Sequence, residues 1–171
     1  MPDRRLLVIP ALLIALVGGC STDDGALSLV ETKSPVQLLR NEAWFRLPDV
    51  MIKGDQETTD ISVACNDDGT ERSWLSRTTA LINNSFAPRT DGVAKELVAS
   101  FASQGWTSTE KTDSESTEYT LDKENSLAVI SVLAVEKTAD HRASISISIT
   151  GPCVMTAGPD SDEVRSLEDG G

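Results

Sequence analysis

The sequence predicts an α+β fold: a two-layer sandwich in which an antiparallel sheet of about five strands carries helices on one face. Three observations predict it. Two stretches place apolar residues at helical spacing, five stretches have the alternation or the β-branched content of strands, and short polar turns join neighbouring strands. Residues 34–156 are long enough for one hydrophobic core, so we expect a single domain there.

The first helix is predicted to begin at Ser34, its N-cap, with Pro35 as the first helical residue. Pro48 ends the pattern. Because Trp44 and Phe45 are adjacent, they cannot both face the sheet, and one of them should dock on the domain. The apolar positions recur every three or four residues: Val36, Leu39, Ala43 and Leu47.

A β-hairpin is predicted next, with strands over residues 58–65 and 73–82. Residues 66–69 lie between them and end in Asp-Gly, a strong turn signal. This loop also holds oxygen atoms that calcium could use, but their spacing is not that of an EF-hand. We therefore interpret these residues as turn residues: Asn66, Asp67, Asp68 and Glu71.

The clearest helix is predicted over residues 90–104 and ends at Gly105, which suits the left-handed position after a helix. Trp106 follows at once, where an apolar side chain often folds back on the last turn. The apolar stripe of this helix consists of Val93, Leu97, Val98 and Phe101.

Three strands are predicted in series over residues 117–122, 126–136 and 142–150. The last alternates strictly between isoleucine and serine, which is the period of a half-buried strand. We expect the isoleucines to face the helices and the serines to face solvent: Ile145, Ile147 and Ile149 against Ser144, Ser146 and Ser148.

Two cysteines of the expected domain, Cys65 and Cys153, each follow a strand-like run. In an exported protein, an even number of cysteines favours a disulfide. A redox-active pair is the alternative, but the sequence contains no Cys-x-x-Cys motif. We therefore predict a structural disulfide between Cys65 and Cys153.

Residues 1–20 have the organisation of an export signal. Arg4 and Arg5 are followed by an uncharged run over residues 6–17, which spans only about 18 Å as a helix against the ~30 Å hydrocarbon core of a bilayer. Gly18-Gly19-Cys20 resembles a bacterial lipobox. This resemblance implies cleavage before Cys20 and a lipid carrying fatty acids such as palmitate on its sulfur. An ordinary secretory signal, or the apolar N-terminus of a cytosolic protein, is the alternative.

The segments that flank the domain are polar. Residues 20–33 are predicted to be a flexible tether, and residues 157–171 a disordered acidic tail. The full chain has a net charge of −12, which excludes nucleic acid as a partner and disfavours a basic contact with anionic lipid headgroups. Any hold on a membrane should therefore come from the lipid on Cys20.

The wider pattern resembles the small lipoproteins of actinobacteria. It combines the lipobox ending at Cys20, the pair Cys65 and Cys153, and a helix that ends in Gly105-Trp106. The resemblance covers most of the chain, although only the lipobox is a specific motif. It implies an extracytoplasmic protein anchored to the cell membrane, and it assigns no catalytic residues.

Two functions remain open. A non-catalytic module could bind an envelope protein or glycan, through the serine face of the last strand or through the loop at residues 67–71. A carboxylate-dependent envelope hydrolase is the alternative, and it would need two carboxylates facing each other across a pocket. His141, the single histidine, lies in a predicted turn without a nucleophile or metal-ligand set. We therefore expect no cofactor and favour the binding module.

Overall fold

A computed structural model describes residues 27–48, 52–82, 89–139 and 142–169. Cys20 and His141 therefore lie outside the described residues. Within these ranges the helices are α1 (Leu29–Phe45), α2 (Thr90–Ala102) and α3 (Asp162–Asp169). The strands are β1 (Ile52–Ala64), β2 (Glu71–Ile82), β3 (Thr107–Thr112), β4 (Ser116–Asp122), β5 (Val129–Val135), β6 (Ser144–Thr150) and β7 (Val154–Met155).

The strands form one antiparallel sheet in the order β1-β2-β6-β5-β4-β3, and β7 pairs with the start of β2. The predicted α+β class is confirmed, but the prediction of about five strands was too low, because the described residues form seven. The two missed strands have little sequence signal. β3 has the sequence Thr-Ser-Thr-Glu-Lys-Thr and is exposed along its whole length, and β7 has two residues.

The core lies on one face of this sheet. The cross-strand register places Ile147 between Thr78 of β2 and Val132 of β5, and all three side chains are buried. α1 packs on β2 and β6, α2 packs on β4 and β5, and α3 contacts α1 and β1. The predicted alternation of β6 is confirmed, since the side chains of Ile145, Ile147 and Ile149 are fully buried.

α1 begins earlier than predicted. Ser28, not Ser34, is the N-cap, and it forms a capping box with Glu31. Leu29 and Thr32 are buried, so the first turn already packs on the domain. The predicted tether over residues 20–33 is therefore wrong for residues 29–33, which are helical, and Pro35 lies inside the helix.

The C-terminal segment is not the disordered tail that the acidic composition of residues 157–171 predicted, because residues 162–169 form α3. Val164 is buried, and Leu167 packs against the core cluster. Hydrogen bonds join this helix to α1 and to β1. Lys33 Nζ donates to the carbonyl oxygen of Leu167 at 2.8 Å, and Ser62 Oγ donates to Glu168 Oε1 at 2.8 Å.

α2 ends at Ala102, two residues before the predicted end, but Gly105 and Trp106 behave as predicted. Gly105 has a φ of +86°, the left-handed value that favours glycine after a helix. Trp106 then folds back, and its ring meets the ring of Phe101 edge to face at 5.8 Å between centroids. Of the adjacent pair in α1, Trp44 packs against the core and Phe45 is 83% exposed.

A buried polar cluster joins α1 to the sheet beneath it. Arg40 Nε donates to Ser76 Oγ at 3.1 Å, and Arg40 Nη1 donates to Thr78 Oγ1 at 3.1 Å. The same guanidinium lies 3.5 Å from the carboxylate of Asp60 on β1. Arg40 therefore links α1 to two strands, including the edge strand, and neutralises a carboxylate that is largely removed from water.

We expect Arg40→Ala to lower the free energy of unfolding by about 2–4 kcal/mol, because it removes a donor from two buried hydroxyls and the counter-charge from one carboxylate. Arg77→Ala is the matched control, since Arg77 is exposed on the opposite face of β2, and it should change stability by less than about 1 kcal/mol. Urea unfolding of both variants measures the difference. Equal losses would show that Arg40 has no special structural role.

Candidate functional site

The helices leave the other face of the sheet uncovered by any described element. Directly paired residues share a face, so the register assigns its members. We call this surface the open face. In β1, β2, β3 and β5 it consists of the odd-numbered residues, beginning at residue 57 in β1 and at residue 75 in β2. In β4 and β6 it consists of the even-numbered residues.

The open face is rich in hydroxyl groups. The three serines predicted to face solvent lie at its centre, where they are half-buried: Ser144, Ser146 and Ser148. Side-chain hydrogen bonds cross from strand to strand. Thr79 Oγ1 and Ser146 Oγ are 2.8 Å apart, and Ser131 Oγ donates to Glu118 Oε1 at 2.9 Å. These bonds fix short side chains, so little rotamer entropy remains to be lost on contact with a partner.

Aliphatic side chains border this hydroxyl-rich centre. At one end of the strands, directly paired residues form a row across the sheet. Ile61 pairs with Leu75, Leu75 pairs with Thr150, and Thr150 pairs with Val129. Ile61 and Val129 are each 39% exposed. Leu133 lies between Ser146 and Glu118 near the centre of the face. The open face thus combines apolar contact area with hydrogen-bonding groups.

The open face is almost neutral in a strongly acidic chain. Its acidic residues are Glu57, Glu118 and Asp122, and its basic residues are Arg77 and Lys111, a balance of −1 against −12 for the chain. The open face contains six strands that lie about 4.8 Å apart and are about seven residues long, which gives it an area of roughly 550 Å². This area is comparable to the ~800 Å² that each partner buries in a standard interface.

The second predicted contact surface, the loop at residues 67–71, is explained by turn chemistry. Asp68 Oδ1 accepts from the backbone N–H of Thr70 at 3.0 Å, and Asn66 Oδ1 accepts from the backbone N–H of Glu71 at 3.0 Å. These oxygens are thus used by the chain itself. Within the described ranges, no three His, Cys, Asp or Glu side chains cluster as a metal site would require.

The structure brings together the predicted cysteines. Cys65, which follows β1, and Cys153, which precedes β7, have Cα atoms 6.1 Å apart and are joined in a disulfide. Because β1 and β7 both pair with the first residues of β2, the bond closes the end of the sheet at which β2 begins.

A small polar cleft of about 180 Å³ lies between the first turn of α2 and the β3–β4 turn. Tyr119 Oη donates a hydrogen bond to Asp91, and Lys95 Nζ lies 2.9 Å from the other oxygen of that carboxylate. Glu136 Oε1 accepts from the backbone N–H of Asp91 at 3.1 Å. Sequence reasoning missed this group, although the i, i+4 spacing of Asp91 and Lys95 was a signal.

The cleft bears on the hydrolase alternative, because several carboxylates line it. The pKa of Asp91 is lowered, mainly by the hydrogen bond from Tyr119, and the pKa of Asp113 is lowered by backbone N–H groups of Glu115 and Ser116. A general acid in glycoside hydrolysis needs a raised pKa instead. The environments of Asp91 and Asp113 therefore suit permanent anions that hold structure together.

Comparison with known proteins gives no relative: no family model, no curated protein and no solved structure matches the chain. Among the described residues, no helix is both long enough and apolar enough to cross a bilayer.

The contact between Tyr119 and Asp91 predicts a pH-dependent contribution to stability. A carboxyl whose pKa is lowered by folding stabilises the protein above its unfolded pKa, here 3.8, and loses that contribution as the pH falls through the folded pKa. We expect Tyr119→Phe to lower the free energy of unfolding by about 1–2 kcal/mol at pH 7. The deficit should shrink below about pH 4.

The same variant has an alkaline signature. Burial, and then the hydrogen bond to Asp91, raise the pKa of Tyr119 above its usual 10.0. Tyrosine therefore stabilises the fold below pH 10 and loses that contribution as the pH rises further, whereas phenylalanine does not titrate. Urea unfolding of both proteins from pH 3 to pH 11 should show the largest difference at intermediate pH. A constant difference across the range would contradict this assignment.

Proposed function

We propose that this protein is a lipid-anchored module of the cell envelope, held at the extracytoplasmic face of the membrane through Cys20, that binds a partner protein on the open face of its sheet. The anchoring rests on the lipobox-like Gly18-Gly19-Cys20 and on the basic and apolar residues before it. The binding role rests on a single structural observation: the described helices all pack on one face and leave the opposite face uncovered.

A protein is a better partner than a glycan for this surface. Sugar-binding sites commonly stack aromatic rings on the sugar, and the open face carries no aromatic side chain. Its short hydroxyl and aliphatic side chains suit a protein surface that offers apolar contacts and matching hydrogen bonds. The near-neutral charge indicates that the partner's contact surface is also largely uncharged, since a charged one would lose hydration without gaining an opposite charge.

The anchor has a direct test. We expect radiolabelled or alkyne-tagged palmitate fed to cells to label the wild-type protein, which should partition into the detergent phase. Cys20→Ala should take up no label and stay as a full-length precursor or enter the aqueous phase. Cys65→Ser is the control, because it removes a cysteine without touching the lipobox. Label that persists in Cys20→Ala would contradict the assignment.

The binding surface is tested by a matched pair of charge substitutions. Ser146→Arg places a long cation at the centre of the open face, and Glu96→Arg places one on the exposed side of α2. Both proteins should keep the wild-type melting temperature. We expect Ser146→Arg to reduce partner recovery at least tenfold from mildly solubilised membranes, and Glu96→Arg to leave it unchanged. Equal recovery with both variants would contradict the proposal.

A further inference from the structure

A second surface of the molecule is apolar and has no described partner. On α1, the side chains of Val30, Leu38 and Phe45 are 52%, 68% and 83% exposed. Because each residue turns the helix by 100°, Leu38 lies about 80° and Phe45 about 60° from Val30 around the axis. They form one band about 22 Å long on the side away from the sheet. We call these three residues the outer stripe.

The outer stripe lies in an uncharged sector of α1. The only other residues within the same 80° arc are Ser34 and Asn41, which are exposed and neutral. The charged residues of the helix lie elsewhere. Two acidic residues lie just beyond one edge of this arc, and each has a partner in the chain. Glu31, about 20° beyond Leu38, is engaged in the N-terminal capping box, and Glu42, about 40° beyond Leu38, pairs with Arg46. In a chain with a net charge of −12, this sector presents neutral side chains to a lipid surface, and the acidic groups at its edge are engaged with Ser28 and Arg46.

The position of α1 in the sequence indicates that the outer stripe contacts the bilayer. Eight residues separate Cys20 from Leu29, and even fully extended they reach only about 30 Å. A lipid on Cys20 would therefore hold α1 within that distance of the bilayer surface. Such tethering turns a weak contact into an intramolecular one with an effective concentration in about the millimolar range.

We propose that the outer stripe of α1 rests on the bilayer surface, as an interfacial helix does, with Leu38 and Phe45 inserted at the level of the lipid headgroups and upper acyl chains. This inference rests on the proposed anchoring through Cys20. It adds an orientation. Because α1 packs on the helix-covered face of the sheet, contact through the outer stripe directs the open face away from the membrane, toward a partner in the envelope.

The experiment uses the mature, lipid-bearing protein in vesicles of phosphatidylcholine with one-fifth phosphatidylglycerol. A single cysteine introduced at Leu38, or at Ser146 or Thr120 on the open face, is labelled with the environment-sensitive dye NBD, while Cys65 and Cys153 remain in their disulfide. Brominated lipids then report proximity by quenching. We expect NBD at residue 38 to shift to the blue and to be quenched at least threefold more strongly than NBD at residue 146 or 120, because both of those positions lie on the open face.

The outcomes separate the two proposals. Protein that floats with the vesicles but is quenched equally at the three positions retains its anchor and overturns the interfacial helix. Protein that does not float lacks the anchor and overturns both. A blue shift at residue 38 that occurs in native membranes but not in protein-free vesicles would assign the outer stripe to a protein partner and also overturn the inference. Leu38→Asn with Phe45→Asn should lower quenching at an NBD-labelled residue 30 without changing the melting temperature.

Discussion

Removing the disulfide should lower the free energy of unfolding by about 4–5 kcal/mol, the largest single effect that we expect in this protein. The bond closes a loop with a sequence separation of 88 residues. In the chain-entropy model, opening a loop of this length raises the conformational entropy of the unfolded chain. This lowers the free energy of unfolding by about 4.6 kcal/mol. Since small domains have total stabilities of about 5–15 kcal/mol, the reduced protein should be close to its stability limit.

The measurement compares urea unfolding of the wild type with that of the double variant Cys65→Ser, Cys153→Ser. The double variant avoids a free thiol that could form dimers. Reduction of the wild type should reproduce the same loss, because both treatments free the same loop. A double variant within about 1 kcal/mol of the wild type would show that the bond contributes little, for example because the reduced chain retains structure.

Phe101→Ala should lower the free energy of unfolding by about 3–5 kcal/mol, because a large buried ring is lost and a cavity is left. Phe101 is fully buried, packs edge to face on Trp106, and lies under the guanidinium of Arg46 with 4.2 Å between Arg46 Cζ and the ring centroid. The ring thus holds α2, the chain that follows it and the end of α1 together.

Phe45→Ala is the matched control, because it removes the same ring from another helix at a position that is 83% exposed. In the protein without lipid it should change the free energy of unfolding by less than about 0.5 kcal/mol. Urea unfolding of the two variants under one set of conditions measures both values. Similar losses for the two variants would mean that the packing of α2 on the sheet, or the exposure of Phe45, is misassigned.

The sequence could predict those parts of the fold that a strict hydrophobic period specifies. In β6, alternating isoleucine and serine determine which face is buried, and a one-residue slip would bury three serines. The same alternation places Ser144, Ser146 and Ser148 on the open face. The Asp-Gly turn and Gly105 marked two chain reversals for the same reason, because each demands a particular backbone conformation.

Other features could not be predicted because their stability is tertiary. β3 has no apolar residue and exists because it pairs with β4. α3 has one buried side chain and is held by contacts to Lys33 and Ser62, which are remote in sequence. Arg40 lies four residues after Val36 and three before Ala43, a spacing at which an apolar core residue is expected. Only the hydroxyl groups of the facing strand explain why a cation is tolerated there.

The candidate surface was predictable in part. The serines that β6 places on the open face followed from the sequence. The rest of the open face required the strand order, in which β2 lies on one side of β6 and β5 on the other. The cleft around Asp91 and Tyr119 depends on a contact across 28 residues that no local pattern encodes.

The central claim, that the open face contacts a partner protein, is tested most directly by photo-crosslinking in intact cells. A benzophenone amino acid is placed at Thr120 on the open face or at Glu96 on the outer side of α2. We predict that light produces a discrete higher-mass product from residue 120 and none from residue 96, and that Ser146→Arg abolishes the product. An absence of product at residue 120, or the same product from both positions, would contradict the claim.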